Sequence, residues 1–475
     1  MNELVHSVGL GSRAGEDIGD RRPGGQALHP PAALHPCTPA QTASKPVVET
    51  ASDLLKRLFR GFNGTLAMRL WNGTPLTLGS TGGEDAEPPF TLVCRNPSAV
   101  RTMVVGRDPL RLAEAYFRDD IDIEGDFFAA LGLKDHLHAI RLSLRDRLGT
   151  LLSALRLPKA GGSCPWAGAE RSLLRGRNEQ AHSKTGSREA IAFHYDVSNE
   201  FYALWLDEAM VYSCAYFERP GDDLEHAQRA KLDHICRKLL LQPGERLLDI
   251  GCGWGALVIH AATHYGVRAH GITLSRHQLG LARQRIAQAG LQERVTVDLC
   301  DYRDLPGESL YDKVSSVGMF EHVGLNNLPV YFAAVHRLLK PAGLFLNHGI
   351  THDVEGWSET LSTEFINRYV FPGGQLDTVS NIQRVMERAR FEIADVEALR
   401  HHYALTLRHW VSRLERHHTQ ALQYVSESTY RVWRLYMAAC ALEFESGEIG
   451  VYQVLASKRD AGRTCLPLTR RHLYP

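Results

Sequence analysis

The sequence has no CxxC pair, no HExxH motif and no excess of either charge, and no apolar run of the about eighteen residues a spanning helix requires. Each absence excludes a class of protein. Its nine cysteines are odd in number and lie in no metal-ligand spacing, which argues against a secreted disulfide framework and a zinc ribbon and points to a reducing compartment. Lys+Arg and Asp+Glu both total 54, so no global field recommends nucleic acid as a partner. The 23 histidines include the pairs His401-His402 and His417-His418, adjacent rather than spaced i,i+4, so solvated positions are expected there and no metal site. The first fifty residues lack the continuous apolar core of a signal peptide, and the chain is expected not to be integral to a membrane.

With 475 residues, 44% of them hydrophobic, there is material for two or three domains and a sizeable core. Residues 1–50 are rich in Gly, Pro, Ala and Ser, with His29-Pro30-Pro31 and His35-Pro36, and read as a disordered tail. Residues 51–157 read as a small α+β domain. Leu54, Leu55, Leu58 and Phe59 form a helical stripe, 66–78 and 90–93 read as strands, and Pro109 opens a helix through Leu112, Ala115 and Tyr116. At its end Leu137, Ile140, Leu144, Leu148, Leu151 and Leu155 recur at helical spacing among Arg141, Arg145, Arg147 and Arg156. Two readings stay open: the helix lies on an anionic lipid surface, or its apolar face packs on the neighbouring domain with the arginines solvated. Residues 158–187, with Pro158, Gly161, Gly162, Pro165, Gly168, Gly176 and Gly186, suit an exposed linker.

From 188 to 475 a second domain is expected. Residues 188–240 read as mostly helical. Beyond them strand 247–250, helix 255–265, strand 267–272, helix 275–289, strands 294–298 and 312–317, helix 327–339 and strand 343–348 alternate as a doubly wound α/β sheet, whose ligands belong at the carboxyl ends of the strands. The first strand runs into Asp249-Ile250-Gly251-Cys252-Gly253-Trp254-Gly255, where glycines permit a sharp turn and close approach of a nucleotide-like ligand. Gly251, Gly253 and Ala256 also meet the loose GxGxx(G/A) dinucleotide pattern, so the turn alone does not separate NAD from S-adenosylmethionine. Two details favour the methyl donor. Asp249 suits a cationic amino acid end and would repel a pyrophosphate, and Gly271-Ile272-Thr273-Leu274-Ser275 offers no acid for a dinucleotide's ribose.

The segments HYDVSNEFY (194–202), YSCAYF (212–217), AQRAKLDHIC (227–236), LLDIGCGWG (247–255), GITLSRHQ (271–278), DYRDL (301–305), SVGMFEHVG (316–324) and FPGG (371–374) resemble, in order, those of the cyclopropane-fatty-acyl-phospholipid synthase family, which includes the mycolic acid methyltransferases. The likeness runs from about 190 to the end, and LAEAYFRDDIDIEGD (112–126) is similar to the smaller amino-terminal domain of its phospholipid-acting members. The resemblance implies a Rossmann-like class I methyltransferase domain that transfers a one-carbon unit from S-adenosylmethionine to the double bond of an unsaturated phospholipid acyl chain. It also implies a cytoplasmic enzyme peripheral on the inner face of the membrane, and it allows a homodimer.

That chemistry has physical logic. An alkene is a weak nucleophile, so a sulfonium methyl has to be held in line with it in a dry pocket. Transfer leaves a carbocation, and loss of a proton from the new methyl closes a cyclopropane ring. The resemblance implies bound bicarbonate as the base, caged by backbone groups of Cys214 and Ile350 and by the side chains of Glu321, His348 and Tyr403, a set that offers both donors and acceptors to a small oxyanion. For the methyl donor it implies Tyr212 and Ser213 near the methionine end, Gly251 and Gly253 at the turn, Thr273 and Gln278 near the ribose and Tyr302 against adenine, beside Asp249. The segment Asn347-His348-Gly349-Ile350-Thr351 departs from the LHTI-type sequence of well-known members, which leaves cyclopropane and methyl-branched products both open. Methylation of a small polar nucleophile, which needs no cage, and a non-catalytic lipid-binding homologue are the remaining readings.

Overall fold

In the computed structural model the described residues are 44–60, 62, 64–79, 87–106, 109–133, 144–159, 197–356, 361–370, 374–462 and 466–474. Outside them lie nearly all of the expected tail and linker, the amino-terminal part of the basic amphipathic stretch, His194 to Asp196 of the first matching segment, and Phe371 to Gly373 of the last.

Helix α1 (Lys45–Leu58) starts inside the stretch read as a tail and buries Ala51, Leu54, Leu55 and Leu58 on one face, as the i, i+3, i+4, i+7 spacing requires. There follow β1 (Leu66–Arg69), β2 (Pro75–Leu78), β3 (Phe90–Cys94), α2 (Pro97–Gly106), α3 (Pro109–Phe117), β4 (Ile121–Gly125) and α4 (Phe127–Leu131). The Asp126 carboxylate caps α4 by accepting the Ala129 N–H at 3.1 Å. The strands form a sheet in the order β2-β1-β3-β4. Helix α5 (Leu144–Leu155) turns Thr150 and Ala154 inward but leaves Leu148 60%, Leu151 40%, Leu152 54% and Leu155 50% exposed.

Helices α6 (Asn199–Ala203) and α7 (Leu224–Lys238) bracket residues 204–223, which carry no helix where the sequence reads as mostly helical. Two local features stop it. The Asp207 carboxylate accepts the N–H groups of Ala209 (3.0 Å) and Val211 (2.7 Å), competing with helical bonding, and Pro220-Gly221 break the rest.

The second sheet is laid down by β5 (Arg246–Ile250), α8 (Ala256–Tyr265), β6 (Arg268–Thr273), α9 (Arg276–Gln288), β7 (Val295–Leu299), β8 (Tyr311–Val317), α10 (Leu328–Leu338) and β9 (Leu339–His352). Each falls within a few residues of its expected range except β9, which is much longer. The chain continues through α11 (Leu361–Tyr369), α12 (Val379–Arg388), β10 (Phe391–Ala398), α13 (Arg400–Arg416), α14 (Glu427–Ser446) and β11 (Ile449–Lys458). The strand order is β10-β11-β9-β8-β5-β6-β7. From β7 to β9 all pairings are parallel, while β11 inserts antiparallel between β9 and β10. Pairing with β11 from Ile449↔His352 to Ser457↔Leu344 extends β9 past the end of β8. The order reverses between β5 and β8, which places the ligand crevice at their carboxyl ends.

Both sheets belong to one compact unit. Arg431 on α14 donates to the carbonyls of Tyr116 and Ile121, each at 3.1 Å, and pairs with Asp119 at 2.7 Å. Arg434, one turn on, donates to the Tyr116 hydroxyl at 3.1 Å and lies over the ring of Phe127. Helix α14 thus helps to pin the amino-terminal sheet to the second one, alongside α11, whose Tyr369 hydroxyl donates to Glu114 at 3.0 Å.

Candidate functional site

At the end of β5 three glycines take left-handed backbone, Gly251 at φ +81°, Gly253 at +54° and Gly255 at +85°, a region that side chains with a Cβ rarely enter. The Gly251 and Cys252 N–H groups both donate to the Ile272 carbonyl on β6, at 2.9 and 3.0 Å. A Cβ on Gly253 would meet nothing within 4 Å, so the turn presents open backbone to the crevice beside it. That crevice is lined by Tyr212, Ser213, Asp249, Gly251, Gly253, Thr273, Gln278 and Tyr302 together, the eight positions expected around the methyl donor.

Their polar groups are pre-set. Thr273 Oγ1 donates to Gln278 Oε1 at 2.8 Å and accepts the Ser275 N–H at 3.1 Å. Asp249 accepts from Ser315 Oγ at 2.7 Å. Burial pushes its carboxyl up to about 6, against the pull of that hydrogen bond and of Lys231. Tyr302 stands edge-on to Tyr331, ring centroids 5.1 Å apart, with the Arg303 guanidinium over its ring at 5.5 Å.

Two residues of α7 complete this wall and were assigned no role from sequence. Lys231 Nζ, fully buried, donates to Ser213 Oγ at 2.7 Å, and Gln228 Nε2 donates to the carbonyls of Ser213 (3.0 Å) and Val211 (3.3 Å). Burial lowers the Lys231 ammonium to about 8, with Asp207 and Asp249 opposing. The signal was present. Gln228 and Lys231 share the core-facing spacing of Leu224, Ala227 and Ile235, and polar residues on such a face need partners.

Of the five cage positions, Cys214 and Glu321 adjoin crevice-lining residues in sequence, as Ser213-Cys214 and Glu321-His322. Because β9 outruns β8, the Ile350 N–H finds no strand partner on that side, and Glu321 Oε1 accepts it at 2.7 Å. On the other side Ile350 pairs with Val451, whose carbonyl accepts the Leu399 N–H at 2.9 Å. The Leu399 carbonyl in turn receives the Cys214 thiol at 3.7 Å and the Tyr403 N–H at 3.1 Å. Cys214, Glu321, Ile350 and Tyr403 are therefore tied by one chain of contacts, and His348 joins through its place on β9. The Tyr403 ring packs on Phe444, centroids 4.7 Å apart.

The electrostatics are those of a dry pocket. Burial drives the Cys214 thiol far above its usual range, which keeps it protonated and leaves its backbone for binding. Burial also pushes the Glu321 carboxyl up to about 7 and His348 down to about 3, the latter with help from Lys231 and Lys238. Glu321 Oε2 and His348 Nε2 are buried and have no protein partner among the described residues. An orphaned acceptor and an orphaned donor fit a small oxyanion that carries one proton.

Residues 182–454 match the sequence profile described as mycolic acid cyclopropane synthetase. The chain belongs to this family. It is 40% identical over 412 residues to a probable fatty acid methyltransferase of Pseudomonas putida, an alignment that takes in 86% of this chain and 96% of that one. It is 41% identical over 270 residues to the cyclopropane-fatty-acyl-phospholipid synthase of Escherichia coli K12, covering 56% of this chain and 66% of that one. Among solved structures, the mycolic acid cyclopropane synthase CmaA1 complexed with SAH and CTAB superposes with a TM-score of 0.54 at 35% identity, over 57% of this chain and 98% of that one. The family member described here is thus an S-adenosylmethionine-dependent methyltransferase of fatty acyl lipids, with the Rossmann-like fold its sequence implied.

Proposed function

We propose that this enzyme transfers a one-carbon unit from S-adenosylmethionine to the double bond of an unsaturated acyl chain esterified in a phospholipid, closing a cyclopropane ring with bicarbonate as the base. One observation carries the reading: Glu321 Oε2 and His348 Nε2 are both buried and have no protein partner among the described residues. A methyltransferase acting on nitrogen or oxygen needs no bicarbonate cage, because its nucleophile carries its own lone pair. The Gly251–Gly255 turn, Asp249, Thr273, Gln278 and Tyr302 hold the donor; Glu321, His348, Tyr403 and the backbone of Cys214 and Ile350 hold the anion. When bound, bicarbonate supplies the acceptor for the proton lost from the transferred methyl. The residues themselves exclude water, orient the anion, and keep the imidazole neutral so that it donates without carrying charge.

We infer further that residues 51–157 face the lipid and that α5 lays its exposed leucines on the cytoplasmic surface of the bilayer. Among the described residues no helix is long and apolar enough to cross it.

A second reading is a methyl-branched product. It is favoured by the fatty acid methyltransferase similar to this chain over most of its length and by Asn347 and Gly349 flanking His348. Mass spectrometry of total lipid esters from cells lacking any homologue separates the two. Expression of the chain should add one CH2 to unsaturated acyl chains, with cyclopropyl protons in the NMR spectrum. A gain of CH4, which needs a separate hydride donor, would establish the branch instead, and no gain would sink both.

A further inference from the structure

His348, Gln453 and Glu397 occupy directly opposed positions on β9, β11 and β10, since Gln453 pairs with His348 in one ladder and with Glu397 in the next. Opposed residues project to the same face of a sheet, so the three side chains form a transverse row that starts at the cage. The row has a defined order. Gln453, wholly buried, places its carboxamide Nε2 at 3.2 Å from His348 Nδ1. Glu397 is committed away from Gln453, to His234 Nε2 at 2.8 Å and Lys238 Nζ at 2.6 Å, both on α7.

We propose that Gln453 is a positioning residue for the one-carbon transfer: its carboxamide donates to His348 Nδ1 and thereby holds the imidazole as the Nε2–H tautomer, with that N–H directed at the caged anion.

The chemistry leaves little choice once the contact is made. A neutral imidazole carries one proton, and a nitrogen that accepts a hydrogen bond cannot be the one that bears it. With Nδ1 accepting from Gln453, the proton sits on Nε2, the atom that is buried and lacks a protein partner. An anion meeting N–H gains a hydrogen bond; an anion meeting the other tautomer faces a lone pair. Without Gln453 the two tautomers lie close in energy and the ring is free to turn over. Outer-shell partners that fix the tautomer of metal-bound histidines are worth about tenfold to a hundredfold, and the same orienting role is at stake here. On the far side of the row, Tyr216 stacks on His234 and His402 with centroids 4.3 and 4.9 Å away, and His402 Nδ1 accepts the Phe217 N–H at 3.0 Å. The row is therefore packed against both the YSCAYF loop and the start of α13.

The inference rests on the anion-cage reading, and the experiment separates the two. Turnover of the wild-type enzyme is followed in carbonate-free buffer with bicarbonate added back, alongside Gln453→Leu and Gln453→Glu, and S-adenosylhomocysteine binding is measured by calorimetry as a control on the donor crevice. Wild-type turnover that ignores bicarbonate overturns the cage and this inference with it. If turnover depends on bicarbonate, Gln453→Leu should lower kcat by about tenfold to a hundredfold and raise the bicarbonate requirement with S-adenosylhomocysteine affinity unchanged. Gln453→Glu, whose carboxylate accepts from Nδ1–H and enforces the wrong tautomer, should lose more than Gln453→Leu. A Leu variant as active as wild type, or a Glu variant equal to or better than Leu, overturns the role of Gln453 alone. Should the variants fail to fold, 15N NMR of histidine-labelled wild-type protein, with the His348 signal assigned by difference against His348→Gln, still decides it. An Nε2–H tautomer is expected, and an Nδ1–H tautomer refutes the inference.

Discussion

Glu321 answers two opposing demands with one side chain. Its Oε1 is fixed by the Ile350 N–H at 2.7 Å, while burial makes its ionised form costly and pushes the carboxyl up to about 7. A carboxyl raised on folding binds a proton that the unfolded chain has already released. Between the ordinary carboxylate range and pH about 7, stability therefore falls as pH rises, and above that window the dependence stops. Glu321→Gln removes the titration while preserving shape. Thermal unfolding from pH 5 to 8 should then show a shallower decline in the variant, the difference from wild type reaching on the order of 3 °C by pH 7.5. Parallel curves would mean that the group ionises freely in the folded state. Glu321 also illustrates what sequence can carry at this scale. Its place in FEHVG was readable by resemblance, but that its partner would be the backbone of Ile350 depends on β9 outrunning β8, which no local pattern announces. Gly349 is similar: a Cβ there would overlap the ring of Phe320, the neighbour of Glu321, a constraint visible only once strand and turn are packed. Gln453 was missed because one glutamine in Val451-Tyr452-Gln453-Val454-Leu455 looks incidental when its partner is 105 residues away.

At the scale of elements, the central strands were legible because buried parallel strands are short, continuous apolar runs closed by glycine or a polar turn, as Leu247 to Gly251 shows. The β10–β11 hairpin-like edge was not, because Phe391–Ala398 mixes Glu392, Asp395 and Glu397 into its apolar residues and pairs with a strand beyond three intervening helices. Residues 204–223, expected to be mostly helical, are not, because a buried aspartate bonds to its own turn. Helix α7 carries a testable consequence. Lys231 holds Ser213 and supplies the positive charge that keeps the Asp249 carboxyl from rising further. Lys231→Met fills a similar volume without charge, so the fold should survive; burying a lysine is itself costly. Without the ammonium, Asp249 binds its proton more tightly, and the donor loses both an ordered Ser213 and an anionic partner. S-adenosylhomocysteine affinity should drop about tenfold to a hundredfold at pH 6.5, from about 1–3 kcal/mol of lost hydrogen bonding, and recover in part at pH 8.5 as Asp249 ionises. Calorimetry at the two pH values measures this, and an affinity equal to wild type at both would remove Lys231 from the binding wall.

For the whole molecule, the proposed function raises the question of how a dry, enclosed site would receive an acyl chain that begins in a bilayer. Arg431 and Arg434 fix the amino-terminal sheet to α14, and α14 packs on α13, which bears Tyr403. The amino-terminal sheet and the proposed cage thus share one packed path, so a surface that docked on lipid would also orient the site. Helix α5 is where docking would occur: Leu148, Leu151, Leu152 and Leu155 are each at least 40% exposed, and Arg156 beside them faces solvent. Four half-exposed leucines forgo roughly half of the 1.5–3 kcal/mol apiece that burial from full exposure gives, enough to hold a protein at an interface when joined by attraction to anionic headgroups. Leu148→Asp combined with Leu152→Asp reverses both contributions without touching the crevice. In sedimentation with vesicles of anionic unsaturated phospholipid, the double variant should bind at least about tenfold more weakly than wild type. Its turnover on those vesicles should fall in proportion, while S-adenosylhomocysteine binding stays unchanged. If vesicle binding persists and the variant instead changes mass in solution, the leucine face covers a second copy of the chain, and the enzyme must reach its lipid by another surface.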